Sequence, residues 1–422
     1  MTSLLRIFWL ELTALVRTWT APLLVAASLA WFFAVGKLVV TDSTAEGHRE
    51  MVVRYGLGGV LAILVISLLA AATGAIASER EAKRLQLTQV RPVSALAIAW
   101  GKFLALATVG AVALAGPCAF LAFSPSYSGA KCHHVARPIL PTPREEAERM
   151  YDYYMKDPET PPQVKMARKS VVLRILEQRA KDNYQSVQTN ETASWRFPGF
   201  HARRLASPQA APSVRFRFSG DFDMRDDVRG EIAADGLCGG VSNITQTAVT
   251  VPLSACGREG ERDVLSFTNR GRGAVMLRPR RDVELLFPAD AFGWNLLRAL
   301  LVMASVLAAV VAFGVFLGAG LSRPVALFTA IVLLMVSEMS PSVVDQYPDQ
   351  LETDRIDRVG LAVARAVGKG LRSVSAMSPL GSLAVGDCVE ARDAAGSVAF
   401  DFLLVPLVLS ALSAALIRRK PA

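Results

Sequence analysis

Long apolar runs alternate with polar segments along this chain, and the runs determine its predicted architecture. A run of about 20 apolar residues is long enough to cross a bilayer as a helix. We predict six such transmembrane helices, at residues 21–40, 56–77, 98–123, 296–320, 325–340 and 398–417. The pattern therefore predicts an α-helical integral membrane protein.

The residues before the first predicted span have a different pattern. Between Met1 and Trp19, apolar residues are interrupted by Arg6, Glu11 and Arg17, which is typical of a helix that lies at a membrane interface. The span that follows lacks a small-residue cleavage site, so we expect it to be an uncleaved transmembrane helix rather than a signal peptide.

A long polar insert, residues 124–290, separates the third and fourth predicted spans. Its first half, 142–186, is predicted to be helical because Thr142-Pro143 is a typical helix start. Its second half, 193–290, has the apolar alternation of strands separated by glycine-rich turns, as in the run from Val214 to Phe218. We therefore predict an α+β insert with a β-sandwich-like second half.

The charges of the short loops predict the orientation in the membrane. The segment 79–102 carries five basic and two acidic residues, whereas the loop 41–54 carries two basic and three acidic residues. Basic loops stay on the cytoplasmic side. We therefore expect both termini to be cytoplasmic, and the insert and the loop 341–397 to be extracytoplasmic. The chain then has three regions, residues 1–123, 124–290 and 291–422.

Composition agrees with a membrane protein and argues against other classes. Hydrophobic residues make up 52% of the 422 residues, and the mean hydropathy is +0.34, which is too apolar for an ordinary soluble protein. The net charge of +9 lies largely in the insert and in short clusters beside the spans. We therefore expect no nucleic-acid partner.

The polar segment between the second and third spans carries a recognisable pattern. Its elements in order are Glu79 and Glu81, Leu85-Gln86-Leu87, Arg91-Pro92-Val93-Ser94 and Gly101-Lys102. Together they resemble the signature of type-2 ATP-binding-cassette (ABC-2) transporter permeases. We expect Lys102 to extend towards water from the foot of the third span.

The resemblance implies a function and a set of contact residues. In that family the segment, here residues 79–91, is a coupling helix that docks on a separate ABC ATPase subunit. The resemblance implies a permease subunit of an exporter in a bacterial cytoplasmic (inner) membrane, surrounded by lipid and completed by a second permease copy or a related chain. The implied ATPase-coupling residues are Glu79, Glu81, Arg84, Leu85, Leu87, Thr88 and Pro92.

Missing motifs narrow the possible activities. The chain has no G-x-x-x-x-G-K-[ST] phosphate-binding loop, so we predict no cofactor in this chain, with ATP and Mg bound by the partner ATPase. It also has no G-x-S-x-G or H-E-x-x-H motif, which disfavours an enzyme. Two alternatives stay open: a membrane-anchored extracytoplasmic binding or sensor protein without transport activity, and a membrane-embedded hydrolase or transferase.

Four of the five cysteines are predicted to lie outside the cytoplasm, where disulfides can form. We favour a pair between Cys238 and Cys256 within the β-rich half, which leaves Cys132 to pair with Cys388. Reduced cysteines are the alternative. Cys132 also precedes two histidines, but adjacent ligands rarely converge on one ion, and we predict no metal site.

Three charged residues lie near the outer ends of predicted spans and form a candidate outer-mouth cluster: Arg298, Glu338 and Asp401. Charges inside a membrane are costly unless they are paired or hydrated. Either Arg298 bridges Glu338 or Asp401, or each side chain reaches water separately. Between the last two spans, residues 358–374 have the pattern of an amphipathic helix.

Overall fold

A computed structural model shows how the chain folds. It describes residues 2–39, 45–83, 93–124, 127, 130–158, 162–181, 185–206, 211–218, 229–242, 249–257, 261–346 and 378–419. The chain divides into two compact units. The helical unit comprises Met1–Cys132 and Asp290–Ala422, and the insert unit comprises His133–Ala289. The predicted amphipathic helix 358–374 lies outside the described residues.

The helices and strands are numbered along the whole chain. The α-helices are α1 (Thr2–Arg17), α2 (Thr20–Leu38), α3 (Ala45–Met51), α4 (Gly58–Glu81), α5 (Ala95–Phe123), α6 (Pro143–Lys156), α7 (Pro162–Met166), α8 (Lys169–Lys181), α9 (Phe200–Ala206), α10 (Pro279–Asp282), α11 (Phe292–Gly320), α12 (Arg323–Gln346), α13 (Leu380–Val385), α14 (Ala391–Ser397) and α15 (Val405–Arg419). Two π-helical turns join them, Val52–Leu57 and Val398–Leu404. The strands are β1 (Lys131–Ala136), β2 (Gln185–Val187), β3 (Thr192–Arg196), β4 (Ser213–Phe216), β5 (Arg229–Ala234), β6 (Leu237–Ser242), β7 (Val249–Pro252), β8 (Ser254–Ala255), β9 (Val264–Asn269), β10 (Val275–Leu277) and β11 (Val283–Ala291).

Five helices of the described residues are long and apolar enough to cross a membrane. They are Thr20–Leu38, Gly47–Glu81, Ala95–Phe123, Phe292–Gly320 and Ala391–Arg418. Four of the six predicted spans fall within them, and a fifth, 21–40, overlaps Thr20–Leu38. The predicted span 325–340 lies within α12, which is not one of these five, so a count of six spans stays a prediction.

The centre of the helical unit is a close contact between α4 and α11. A side-chain carbon added at Gly318 of α11 would lie 2.4 Å from the backbone carbonyl oxygen of Thr73 in α4, and one added at Gly314 would lie 2.7 Å from the Ala72 side chain. Small residues allow helix backbones to approach in this way, and van der Waals packing then holds helices together in lipid. Glycine is therefore needed at Gly318 for the observed spacing.

Most of the sheet-rich region at residues 185–291 lies in the insert unit. One sheet has the strand order β1-β11-β4-β7, a second has the order β3-β9-β5-β6-β8, and β10 pairs with β2. The two larger sheets share one apolar core, in which the Phe216 ring of β4 lies 5.3 Å from the Phe267 ring of β9. The alternation that predicts strands from Val214 to Phe218 accordingly buries Val214, Phe216 and Phe218 in this core.

The helical half of the insert unit begins where the sequence predicts a helix start. The Thr142 side chain accepts a hydrogen bond from the Glu145 backbone, and the Glu145 side chain accepts one from the Thr142 backbone, which caps α6. Helix α6 packs against α8 through Ala147, Val172 and Leu176.

The predicted boundaries of the two halves of the insert need two corrections. Residues 185–186 belong to β2 rather than to the helical half, and β1 lies before the region predicted to be β-rich.

Candidate functional site

The last turn of α4 carries three consecutive charged residues, and each one binds a different part of the helical unit. We call Glu79, Arg80 and Glu81 the α4 anchor. They are the first three residues of the segment 79–91 that resembles a coupling helix, and Glu79 and Glu81 are its predicted E-x-E start. Their contacts therefore determine how the beginning of that segment is held.

Glu79 binds a buried lysine together with an acidic residue of α1. The Lys102 ammonium of α5 lies 2.7 Å from Glu79 Oε1 and 3.0 Å from Glu11 Oε2, and its side chain is only 4% exposed. The expectation that Lys102 extends to water is wrong. Two carboxylates satisfy its charge inside the protein, so the side chain has no need to reach solvent.

Arg80 and Glu81 hold the two sides of the tight turn between α11 and α12. Arg80 donates hydrogen bonds to the backbone carbonyls of Ala319 and Leu321 at the end of α11. Glu81 accepts one, at 2.9 Å, from the backbone N–H of Arg323, the first residue of α12. A cation near a helix C-terminus and an anion at a helix N-terminus both complement the helix dipole.

The α4 anchor also links the two helices, α4 and α5, between which the coupling-like segment runs. Glu79 begins the segment at the end of α4, and Lys102 lies beyond the segment in α5, so their ion pair joins these two helices. Helix α5 begins after Ser94, whose hydroxyl oxygen accepts a hydrogen bond from the Ala97 backbone. The other predicted coupling residues, namely Arg84, Leu85, Leu87, Thr88 and Pro92, lie outside the described residues.

The predicted outer-mouth cluster is not assembled as a single group. Arg298 forms an ion pair of 2.8 Å with Asp290 and donates a 3.5 Å hydrogen bond to the Val389 carbonyl. Within the described residues, it makes no ion pair with Glu338 or Asp401.

Asp401 is buried and accepts a 2.8 Å hydrogen bond from the Ser397 hydroxyl. Asp401 also lies further from the start of its helix than predicted. Helix α14 begins at Ala391 rather than at the predicted Val398, which places Asp401 about three turns after the helix start.

The cysteines pair as we favoured from the sequence. Cys132 is bonded to Cys388, with 5.2 Å between their Cα atoms, and Cys238 is bonded to Cys256, with 5.7 Å between theirs. Cys118 is free and buried. Because Cys132 is used in a disulfide, it is not available as a metal ligand. Among the described residues, no group of three or more His, Cys, Asp or Glu side chains could hold a metal ion.

An asparagine that the sequence reasoning missed holds the segment around Cys388. Asn295 of α11 is fully buried; its Oδ1 accepts a 2.7 Å hydrogen bond from the Val389 backbone, and its Nδ2 donates one of 2.8 Å to the Asp387 carbonyl. The disulfide and this amide thus hold the same three residues from two sides. An asparagine near the start of a predicted span was the signal that could have found it.

A buried tyrosine lies close in sequence to the first cysteine of that disulfide. The Tyr127 ring stacks on the Phe292 ring at the start of α11, with 4.9 Å between ring centroids. Burial raises the pKa of the Tyr127 phenol to about 12. The phenol therefore stays neutral at ordinary pH and acts as an aromatic packing group.

Comparison with protein-family models, with curated proteins and with solved structures found no match to this chain. The site must therefore be interpreted from its own geometry. That geometry is a set of charged contacts through which one short segment, at the end of α4, is connected to α1, α5, α11 and α12.

Proposed function

We propose that this chain is the membrane-spanning permease subunit of an ABC-2 type transporter, an exporter driven by a separate ATPase subunit. The observation that carries the proposal is the α4 anchor, because its three charged residues connect the coupling-like segment to the ends of four other helices. A docking segment that transmits movement needs such connections at its base.

The proposed mechanism follows from those connections. The partner ATPase binds ATP and Mg and docks on residues 79–91, and closure of the ATPase displaces this segment. Glu79 transmits the displacement through Lys102 to α5 and α1, while Arg80 and Glu81 transmit it to the turn between α11 and α12. The displacement then changes the packing of α4 against α11 and opens a path for the substrate.

The proposal includes a membrane arrangement. The chain crosses a bacterial cytoplasmic membrane six times, with α12 as the fifth span, and both termini are cytoplasmic. A second permease copy or a related chain, together with lipid, completes the transmembrane part. The insert unit is extracytoplasmic, in agreement with its disulfide between Cys238 and Cys256.

A second candidate function is a membrane-anchored binding or sensor protein. It is favoured by the insert unit, which has its own apolar core and two well-formed sheets and could bind a ligand while the helices serve as an anchor. The two functions differ in one requirement, since only the permease needs an ATPase bound to residues 79–91.

The first prediction tests that requirement. Replacing Leu85 and Leu87 together with aspartate should abolish co-purification of the ATPase subunit, because two charges would replace the apolar edge of the docking segment. The amount of chain in the membrane should not change. The measurement is the ratio of ATPase to permease after affinity purification from solubilised membranes.

The control for this experiment applies the same chemical change elsewhere. Val171 and Ile175 are exposed apolar residues one turn apart on α8 of the insert unit. Their double replacement with aspartate should leave ATPase co-purification unchanged. Normal recovery of the ATPase with the Leu85 and Leu87 variant would exclude the coupling role.

The second prediction tests the proposed orientation. A cysteine introduced at exposed Met166 should react with a membrane-impermeant maleimide in intact cells, whereas one at exposed Lys83 should react only after permeabilisation. The native Cys118 is buried, and the other native cysteines are in disulfides, so the background should be low. The reverse pattern of labelling would place the insert unit in the cytoplasm and overturn the arrangement.

A further inference from the structure

Three arginines of the insert unit surround a single buried glutamate. Glu284 is the second residue of β11, and its side chain is 3% exposed. Its Oε2 lies 3.1 Å from the guanidinium of Arg215 and 3.6 Å from that of Arg217, and its Oε1 lies 3.3 Å from that of Arg137. We call these four residues the Glu284 cluster.

The sheet explains why the four side chains meet. Strand β11 lies between β1 and β4, and Arg215 stands directly opposite Glu284 in the antiparallel register of β4 and β11. Arg217 follows β4 on one side of β11, and Arg137 follows β1 on the other side. The Glu284 carboxylate therefore contacts guanidinium groups from both sides of β11.

Among the described residues, the Glu284 cluster carries three positive charges and one negative charge. The Arg215 side chain is 4% exposed, and its positive charge compensates the negative charge of the buried Glu284 carboxylate. Arg137 and Arg217 add two further positive charges, and their side chains are 67% and 41% exposed. Holding like charges this close together is unfavourable, so the cluster would be stabilised by an additional anion.

The two outer arginines also keep hydrogen-bond donors that no described residue uses. A guanidinium has five N–H donors in a planar fork that matches the oxygens of a phosphate group. Arg137 uses one guanidinium nitrogen to bind Glu284 at 3.3 Å. At 3.6 Å from the carboxylate, Arg217 lies beyond hydrogen-bond distance, and its side chain donates no hydrogen bond to any described residue.

We propose that the Glu284 cluster is a binding site for an oxyanion, specifically a phosphate group, held by Arg137 and Arg217 and positioned by the buried pair of Arg215 and Glu284. The phosphate group comes either from a soluble phosphate compound or from a lipid headgroup. This proposal does not depend on whether the chain is a permease, because it rests only on contacts within the insert unit.

The test uses the purified full-length protein in an uncharged detergent. Sodium phosphate is titrated against sodium chloride at matched ionic strength, and the midpoint of thermal unfolding is measured. Binding to the folded protein raises the midpoint in a saturable manner, from which an apparent Kd is obtained. Replacement of Arg137 and Arg217 with alanine should weaken the affinity by about tenfold per arginine, the effect of losing one charge-assisted hydrogen bond.

The matched control removes the same charge from balanced pairs of the same unit. Arg196 pairs with Glu261, and Arg270 pairs with Glu231, each with one carboxylate. The R196A/R270A variant should keep the wild-type affinity for phosphate. An equal loss in both double variants would show general charge screening and would overturn the proposal.

A second arm identifies the source of the phosphate group. The protein is placed in nanodiscs of phosphatidylcholine alone or with phosphatidylglycerol, and the same midpoint is measured for the wild type and the R137A/R217A variant. A rise with free phosphate that depends on the two arginines identifies a soluble ligand, and one that requires phosphatidylglycerol identifies a lipid headgroup. A dependence on the two arginines in neither arm would refute the site.

Discussion

Replacing Lys102 with methionine is expected to destabilise the helical unit more than any other single change considered for this chain. The substitution keeps the length and apolar stem of the side chain but removes the ammonium that lies between Glu79 and Glu11. Two partly buried carboxylates would then face each other without a cation. Removing one partner of a buried ion pair typically costs about 3–5 kcal/mol.

The effect of this substitution should be measured in two ways. The unfolding midpoint of the purified protein should fall. In the transporter proposed above, ATP hydrolysis should also become less sensitive to the presence of substrate, because α1 and α5 are no longer tied to the α4 anchor. A midpoint equal to that of the wild type would mean that the three charges contribute nothing to stability.

Rescue by neutralising the carboxylates distinguishes charge from packing. Adding Glu79→Gln and Glu11→Gln to the methionine variant removes both uncompensated charges while it preserves side-chain shape. The triple variant should recover most of the lost stability, because a neutral set of similar volume replaces the ion pairs. The proposed coupling of ATP hydrolysis to substrate should stay impaired, since the contact between α4 and α5 is still missing. A triple variant no more stable than the single variant would assign the loss to packing.

Replacing Gly318 with alanine is expected to have the second largest effect. The added methyl carbon would lie 2.4 Å from the Thr73 carbonyl oxygen, and this backbone atom cannot move away as a flexible side chain could. Helix α11 must therefore separate from α4. Overpacking of a close contact costs about 1–3 kcal/mol, and we expect the upper end of that range. The measurement is the unfolding midpoint together with the yield of monodisperse protein.

The matched control is the same substitution in another predicted membrane helix. Gly36 lies in α2, and a side-chain carbon added there meets nothing within 4 Å. Gly36→Ala should leave the protein unchanged or stabilise it slightly, because alanine is the better helix former. Equal behaviour of the two variants would contradict the close approach of α4 and α11.

Several features could be predicted from the sequence because they depend on residues close together in the chain. The apolar runs predict helices since a segment must satisfy its own backbone hydrogen bonds in a membrane. Four of the predicted runs lie within the helices that could span one, and a fifth overlaps such a helix. The cap at Thr142 depends on Glu145, three residues later. The alternation from Val214 to Phe218 predicts a face buried in the core of the insert unit, and that face is buried.

The partners of the charged and polar residues could not be predicted, because they are distant in sequence. Lys102 and Glu11 are separated by 91 residues, and Arg80 and Ala319 by 239. Lys102 has the sequence context of a lysine that reaches water, and only the positions of α1 and α4 show that two carboxylates are closer. Arg298 likewise pairs with Asp290, which lies just before its own helix, rather than with residues of other predicted spans.

The sequence by itself determined the class of the protein, the positions of its apolar helices and the division into a helical part and a mixed insert, because each depends on local composition and periodicity. The tertiary structure alone decided where the charges are placed. In the tertiary structure Lys102 is buried, the α4 anchor contacts four other helices, and three arginines surround Glu284. The physical reason is that a buried charge is stable only beside its partner, and the fold, rather than the order of residues, brings the partners together.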